Sequence, residues 1–125
     1  MPQLPDSISK AWDNRNEPVI LATVDKTGYP NAVYVTCVGT FAEDMLVVAD
    51  NYFDKTRRNI LSGSKGVMLF MTKDKKAFQV KGSLTYHRDG PVFDAMKKWN
   101  PPQHPGHAAV ALHVEEVYQG KTRLL

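Results

Sequence analysis

Apolar and polar positions alternate along this chain in short runs, a pattern that is typical of β-strands. In Ala77–His87, alternate positions from Phe78 to Tyr86 are apolar or glycine and the positions between them are polar. This period of two places the two sets on opposite faces of a strand. Short links such as "DKTGYP" predict tight hairpin connections. On this basis the sequence predicts six strands, at Val19–Val24, Asn31–Phe41, Met45–Ala49, Val67–Met71, Ala77–His87 and Ala108–Tyr118.

Three other segments change to helical spacing. The segment "SISKAWDN" repeats apolar residues on one helical face. A second helix is predicted over Lys55–Leu61 with Asp54 as its N-cap, and a third over "GPVFDAMKKW" with Pro91 near its first position. The tail "QGKTRLL" has no clear pattern. Hairpin-linked strands in this number predict a mainly β fold with short helices, arranged as a small antiparallel barrel.

Composition narrows the classes of protein to which the chain can belong. Its 125 residues fit one domain, residues 1–125. No apolar run is long enough to span a membrane, and "MPQLPDSISKAWD" lacks the features of a signal peptide. With a single cysteine, Cys37, the chain is expected to be cytoplasmic. The net charge of +3 suits an anionic small ligand, and the absence of a long basic block disfavours nucleic acid as a partner.

One stretch, "DNYFDKTRRN" (residues 50–59), joins a predicted helix start to a cluster of cations. Lys55 and Thr56 fall in the first turn, where backbone N–H groups lack partners and phosphate binds well. Arg57 and Arg58 add positive charge nearby. From these residues alone two interpretations stay open: a phosphate site, or a solvated helix surface in which Asp54 caps the same amides.

The order of several motifs is similar to that of a known family. "VILATVDKTGYPNAVYV", "LVVADNYFDKTRRNI", "GVMLFM" and "FQVKGSLTYHRDGPVFDAM" resemble the FMN-binding split-barrel family related to pyridoxamine 5'-phosphate oxidase, and most of all its small single-domain members. The resemblance covers roughly Val19 to Val117 and implies that the six antiparallel strands form a split β-barrel. In this family a "KT..N" helix start holds the FMN phosphate, and Lys55, Thr56 and Asn59 match it.

The resemblance also implies the remainder of a flavin site. Its slot for the isoalloxazine ring is expected along two strands and the loop that follows the second, at Val35, Thr36, Ala49, Asp50 and Asn51. FMN is then the expected cofactor, bound without a covalent link, in a homodimer with the flavin near the subunit interface. The expected role is redox, as an oxidoreductase or electron carrier, and no residue is identified as catalytic. The longer oxidases close with a C-terminal substrate-binding segment that is not found before Leu125, so turnover of a vitamin B6 phosphate is not expected.

Other interpretations of the same residues remain. A binding module of the same fold for haem or a deazaflavin is one, and a basic nucleic-acid binder is another. His104 and His107 in "HPGH" lack further ligands at metal-site spacing, so no metal site is predicted. Cys37 is expected in the core, and Trp12 and Trp99 in packing.

Overall fold

A computed structural model describes residues 6–125. Within that range the chain forms three helices and eight strands. The helices are α1 (Asp6–Asp13), α2 (Lys55–Leu61) and α3 (Gly90–Trp99). The strands are β1 (Val19–Val24), β2 (Pro30–Val35), β3 (Val38–Ala42), β4 (Met45–Asp50), β5 (Lys65–Met71), β6 (Ala77–His87), β7 (Ala108–Gln119) and β8 (Thr122–Arg123).

The predicted count of six strands is wrong, for two reasons. The segment Asn31–Phe41 is two strands, because β2 pairs with β1 while β3 pairs with β4. Thr36 and Cys37 join β2 to β3 and redirect the chain from its place beside β1 to its place beside β4. The unassigned tail forms the short β8 against β7.

One curled antiparallel sheet contains all eight strands, which confirms the predicted split-barrel fold. Its order is β2-β1-β5-β6-β7-β4-β3, with β8 beside β7. β2 and β3 therefore lie at opposite edges of the sheet although only two residues separate them in sequence. A link that short requires the sheet to curl until its edges approach each other. We call the line where β2 passes into β3 the seam.

The concave face of the sheet encloses the main core. Buried side chains of β1, β5, β6 and β7 meet there, and α1 covers them with Ile8 and Trp12. The ring of Trp12 lies edge-on to Phe70 at 5.1 Å, and Phe70 stacks on Phe78 at 5.4 Å. The predicted packing role of Trp12 is confirmed, and α1 anchors the start of the described chain to the barrel.

A second apolar layer covers the convex face of the sheet. Val92 and Met96 of α3 pack on Val47, Ala49 and small residues of β7. β4 is consequently buried on both faces, which explains why its sequence is a continuous apolar run. Trp99 packs at the edge of this layer, as expected, and a Cβ on Gly39 would lie only 3.1 Å from its indole.

None of the helices described for residues 6–125 is long and apolar enough to cross a membrane.

Candidate functional site

A cavity of about 350 Å³ opens at the seam. Its walls come from β2, the ends of β4 and its following loop, the start of α2, and the loop after α3. Lining residues are Asn31, Val33, Tyr34, Val35, Thr36, Cys37, Ala49, Asn51, Tyr52, Phe53, Asp54, Lys55, Thr56 and His104. This volume is within the range of small-ligand sites.

The start of α2 presents Lys55 to this first cavity. Asp54 was predicted to cap the helix, but it makes no side-chain cap hydrogen bond. Its carboxylate instead lies 3.6 Å from Arg58 in an exposed pair. Lys55 is exposed and takes part in none of the ion pairs formed within residues 6–125. The Lys55 ammonium is therefore available to an anion.

Behind Lys55, four polar side chains form a hydrogen-bonded cluster. Asn31 Nδ2 donates to Thr56 Oγ1 at 3.0 Å and to Thr23 Oγ1 at 3.2 Å. Asn59 Nδ2 donates to the same Thr23 oxygen at 3.0 Å. Because the Thr56 hydroxyl accepts from Asn31, its own hydrogen is free to donate to a ligand oxygen. Asn59 has a structural partner in Thr23, and this bond ties α2 to β1.

Asp50 lies beneath the cavity, fully buried, and its carboxylate is saturated with donors. Arg57 donates to its two oxygens at 2.7 and 3.2 Å, the Tyr86 hydroxyl at 2.5 Å and the Phe53 amide at 3.0 Å. Burial works to raise the pKa of Asp50, but the Arg57, Tyr86 and Phe53 bonds outweigh it and lower that pKa. Burial, then the hydrogen bond to Asp50 and the charge of Asp50, raise the pKa of the Tyr86 phenol. The ion pair fixes the loop between β4 and α2.

A second buried polar pair holds the loop that follows α3. Asn51 and Asn100 exchange amide hydrogen bonds of 2.9 and 3.2 Å, and Asn51 Oδ1 also accepts the Gly106 amide at 2.9 Å. Lys97 Nζ donates to the Pro105 carbonyl at 3.0 Å. These bonds pin the loop of residues 101–107 against the end of β4 and thereby set the position of His104.

His104 is a cavity residue that sequence reasoning missed. Its Nδ1 shares a 3.0 Å hydrogen bond with the Tyr52 hydroxyl, and the two rings meet edge to face at 5.6 Å. His104 and Tyr52 are far apart in sequence, and no local pattern indicates their pairing.

The structure brings six of the eight predicted site residues together at the first cavity: Val35, Thr36, Ala49, Asn51, Lys55 and Thr56. Asn59 lies next to it and lines a neighbouring cavity. The Asp50 side chain lines neither cavity, because Arg57 and Tyr86 occupy its oxygens. Cys37, predicted as a core residue, is half-buried, packs against the second apolar layer and also lines the first cavity. That these residues bind a cofactor stays a prediction.

The neighbouring, second cavity has a volume of about 590 Å³ and shares Asn31 and Lys55 with the first. Its other walls are the hairpin turn between β1 and β2 and one side of α2. Asp25, Lys26, Thr27, Tyr29, Pro30, Arg58, Asn59 and Ser62 complete its lining. Across residues 6–125, no group of three or more His, Cys, Asp or Glu side chains is placed to hold a metal ion.

Comparison with known proteins gives one family match. A family model described as "Pyridoxamine 5'-phosphate oxidase" matches residues 8–121. A curated relative, an uncharacterized protein of Methanocaldococcus jannaschii, is 27% identical over 112 residues, which are 86% of this chain and 75% of the relative.

Two solved structures have the same fold. HupZ of Group A Streptococcus superposes with a TM-score of 0.81 at 21% identity, covering 96% of each chain. An FMN-binding protein of Syntrophomonas wolfei superposes with a TM-score of 0.76 at 23% identity, covering 90% of this chain and 82% of the other.

Proposed function

Because the chain belongs to the pyridoxamine 5'-phosphate oxidase family, we propose that it binds FMN non-covalently at the first cavity and uses it in a redox reaction. The observation that carries this proposal is the Lys55 ammonium, which forms no ion pair within residues 6–125, beside a Thr56 hydroxyl with a hydrogen to donate. The Syntrophomonas wolfei protein of the same fold is named as FMN-binding, which supports the choice of ligand.

The donors at the helix start fit a phosphate. Lys55 supplies a full charge and Thr56 supplies a hydroxyl, and charge-assisted bonds to phosphate are among the stronger hydrogen bonds in proteins. Asp54 is turned toward Arg58, so a carboxylate does not cap the amides that a phosphate would use. Arg57 is held by Asp50 and is assigned no direct role toward the ligand.

The remaining walls fit a planar ring. Val35 and Ala49 give an apolar surface, while Thr36 and Asn51 add polar atoms at its edges. When bound, the flavin supplies the redox chemistry, and the protein supplies position and electrostatics. The His104 imidazole, held by Tyr52, completes this wall of the cavity.

We also propose that the protein is a cytoplasmic homodimer with its flavin sites near the interface. Tyr34 and Tyr52 support the interface, because both line the first cavity and are 75% and 70% exposed. Exposed aromatic side chains beside a ligand site are the kind of surface that a second subunit covers.

Fluorescence titration with FMN and riboflavin tests the proposal. The Lys55→Ala variant should bind FMN about ten- to a hundredfold more weakly, because a charge-assisted bond contributes roughly 1.5–3 kcal/mol. Riboflavin has no phosphate, so its affinity should change little. Lys73→Ala removes a lysine of the β5–β6 turn, remote from both cavities, and should behave like the parent protein toward both flavins.

The colour of the purified protein separates the competing functions. A yellow protein that releases free FMN on acid precipitation supports non-covalent FMN. A red protein, or one that takes up haem or a deazaflavin in preference to FMN, would identify the alternative binding module. Colourless protein that binds oligonucleotides with steep salt dependence would support a nucleic-acid binder instead of either cofactor-binding function.

A further inference from the structure

We propose that the second cavity holds the adenylate half of a dinucleotide whose phosphorylated flavin half occupies the first cavity. This inference rests on the proposed function and extends its ligand class from FMN to FAD. The observations that carry it are the shared boundary of the two cavities, the charge of the second, and an exposed aromatic ring in its lining.

The two cavities adjoin, because Lys55 and Asn31 line both of them. A phosphate held by Lys55 lies at the boundary between them. A ligand that continues beyond this phosphate can therefore extend into the second cavity. Its volume of about 590 Å³ exceeds the 350 Å³ of the first, so there is space for a further nucleoside group.

The charge of the second cavity suits a second phosphate. Its lining contains three cations, Lys26, Lys55 and Arg58, and one carboxylate, Asp25. Arg58 forms an exposed ion pair with Asp54 at a distance of 3.6 Å. Surface ion pairs contribute little to stability, so a ligand phosphate can replace the Asp54 carboxylate. A diphosphate lying across Lys55 would thus meet Lys55 at the boundary and Lys26 and Arg58 on the side of the second cavity.

The Asp25 carboxylate, the one negative charge among the described residues of this lining, is engaged by the hairpin turn. Asp25 Oδ1 accepts from the Thr27 amide at 2.9 Å, the Thr27 hydroxyl at 2.7 Å and the Tyr29 amide at 2.9 Å. These bonds hold the turn in one shape and fix the backbone at Tyr29. A preorganised turn lowers the cost of ordering the residues that would contact a ligand.

Tyr29 supplies a surface for a planar base. It lines the second cavity, and 75% of it is exposed, with no other aromatic side chain in that lining. Stacking of a base on an aromatic ring is favourable and tolerant of base identity. Tyr29 beside Lys26 and Arg58 thus offers the two contacts, ring and cation, that an adenylate needs.

Titration with FMN and FAD tests the inference by binding alone. FAD should bind about tenfold or more tightly than FMN, the increment expected from one stacked base. Tyr29→Ala should remove that advantage and leave FMN affinity within about twofold of the parent. Phe41→Ala is the matched control, because Phe41 is also an exposed aromatic residue but lies outside both cavities, and it should preserve the preference for FAD.

Lys26→Ala provides a second measurement that does not involve the ring. It should weaken FAD about three- to tenfold more than FMN, whereas Lys73→Ala should weaken neither. Equal affinities of the parent for FMN and FAD, or an equal loss for both ligands in Tyr29→Ala, would overturn the inference and leave the proposed function standing. Failure of FMN itself to bind in a Lys55-dependent way would remove the proposed function and this inference together.

Discussion

At the scale of single residues, Asp50 has a larger role in stability than in ligand contact. Its buried carboxylate accepts from Arg57, Tyr86 and the Phe53 amide, so three separate parts of the chain converge on one charge. Removing one partner from such a group leaves the other buried and uncompensated, which is the costly case for an ion pair.

We predict that Asp50→Asn lowers the free energy of unfolding by about 3 kcal/mol at neutral pH. This value is at the lower end of the range for broken buried ion pairs, because Arg57 is partly exposed and water can hydrate it when its partner is lost. The folded-state pKa of Asp50 is lowered, so its contribution is present above the ordinary carboxyl pKa of about 3.9 and is lost as pH falls through the lower value. Urea unfolding from pH 7 to pH 3 should show a difference in the free energy of unfolding between parent and variant. This difference should be constant at first and should shrink below about pH 4.

Asp94→Asn is the control for this measurement, because Asp94 is an exposed carboxylate on α3. It should change stability little at any pH. A gap between parent and Asp50→Asn that stays constant down to pH 3 would contradict the assignment of the stabilising charge to Asp50.

At the scale of elements, the loop of residues 101–107 is ordered through Asn51 and Asn100 rather than through contacts of its own. We predict that Asn100→Ala lowers the free energy of unfolding by about 1–3 kcal/mol, because it leaves the buried Asn51 amide without one partner. Urea unfolding measures this. Flavin affinity should fall as well, since the loop carries His104 into the cavity wall.

Gln103→Ala is the matched control in the same loop, where Gln103 is exposed. It should change neither stability nor affinity by much. If both variants behave alike, the amide pair does not order the loop.

Elements with strong local signals could be predicted from the sequence, and long-range pairings could not. Val19–Val24 and Lys55–Leu61 have the predicted bounds, because apolar runs and helical spacing are local properties. The division of Asn31–Phe41 was missed, because both halves are similarly apolar and differ only in the strand beside which they lie. The clusters around Thr23 and around His104 were missed for the same reason: their members are distant in sequence.

At the scale of the whole molecule, the mass of the protein in solution tests the proposed homodimer. We predict a sedimentation mass of about 28 kDa at micromolar concentration, twice the 14.0 kDa of one chain. Tyr34→Lys places a charge on the exposed surface beside the cavity and should shift the mass toward that of the monomer. A mass near 14 kDa for the parent protein would contradict the dimer.

The seam has a consequence for the route by which a ligand enters. β2 and β3 each have one strand neighbour within residues 6–125, so their pairing opens more readily than that of the strands that have two neighbours. β2 and the link of Thr36 and Cys37 line the first cavity, so one of its walls belongs to the edge of the sheet. Amide hydrogens of Val33 to Gly39 should therefore exchange faster than those of β6 and β7 in the free protein, and ligand binding should slow them by mass action. We therefore expect transient opening of this edge to set how fast a ligand enters and leaves the first cavity.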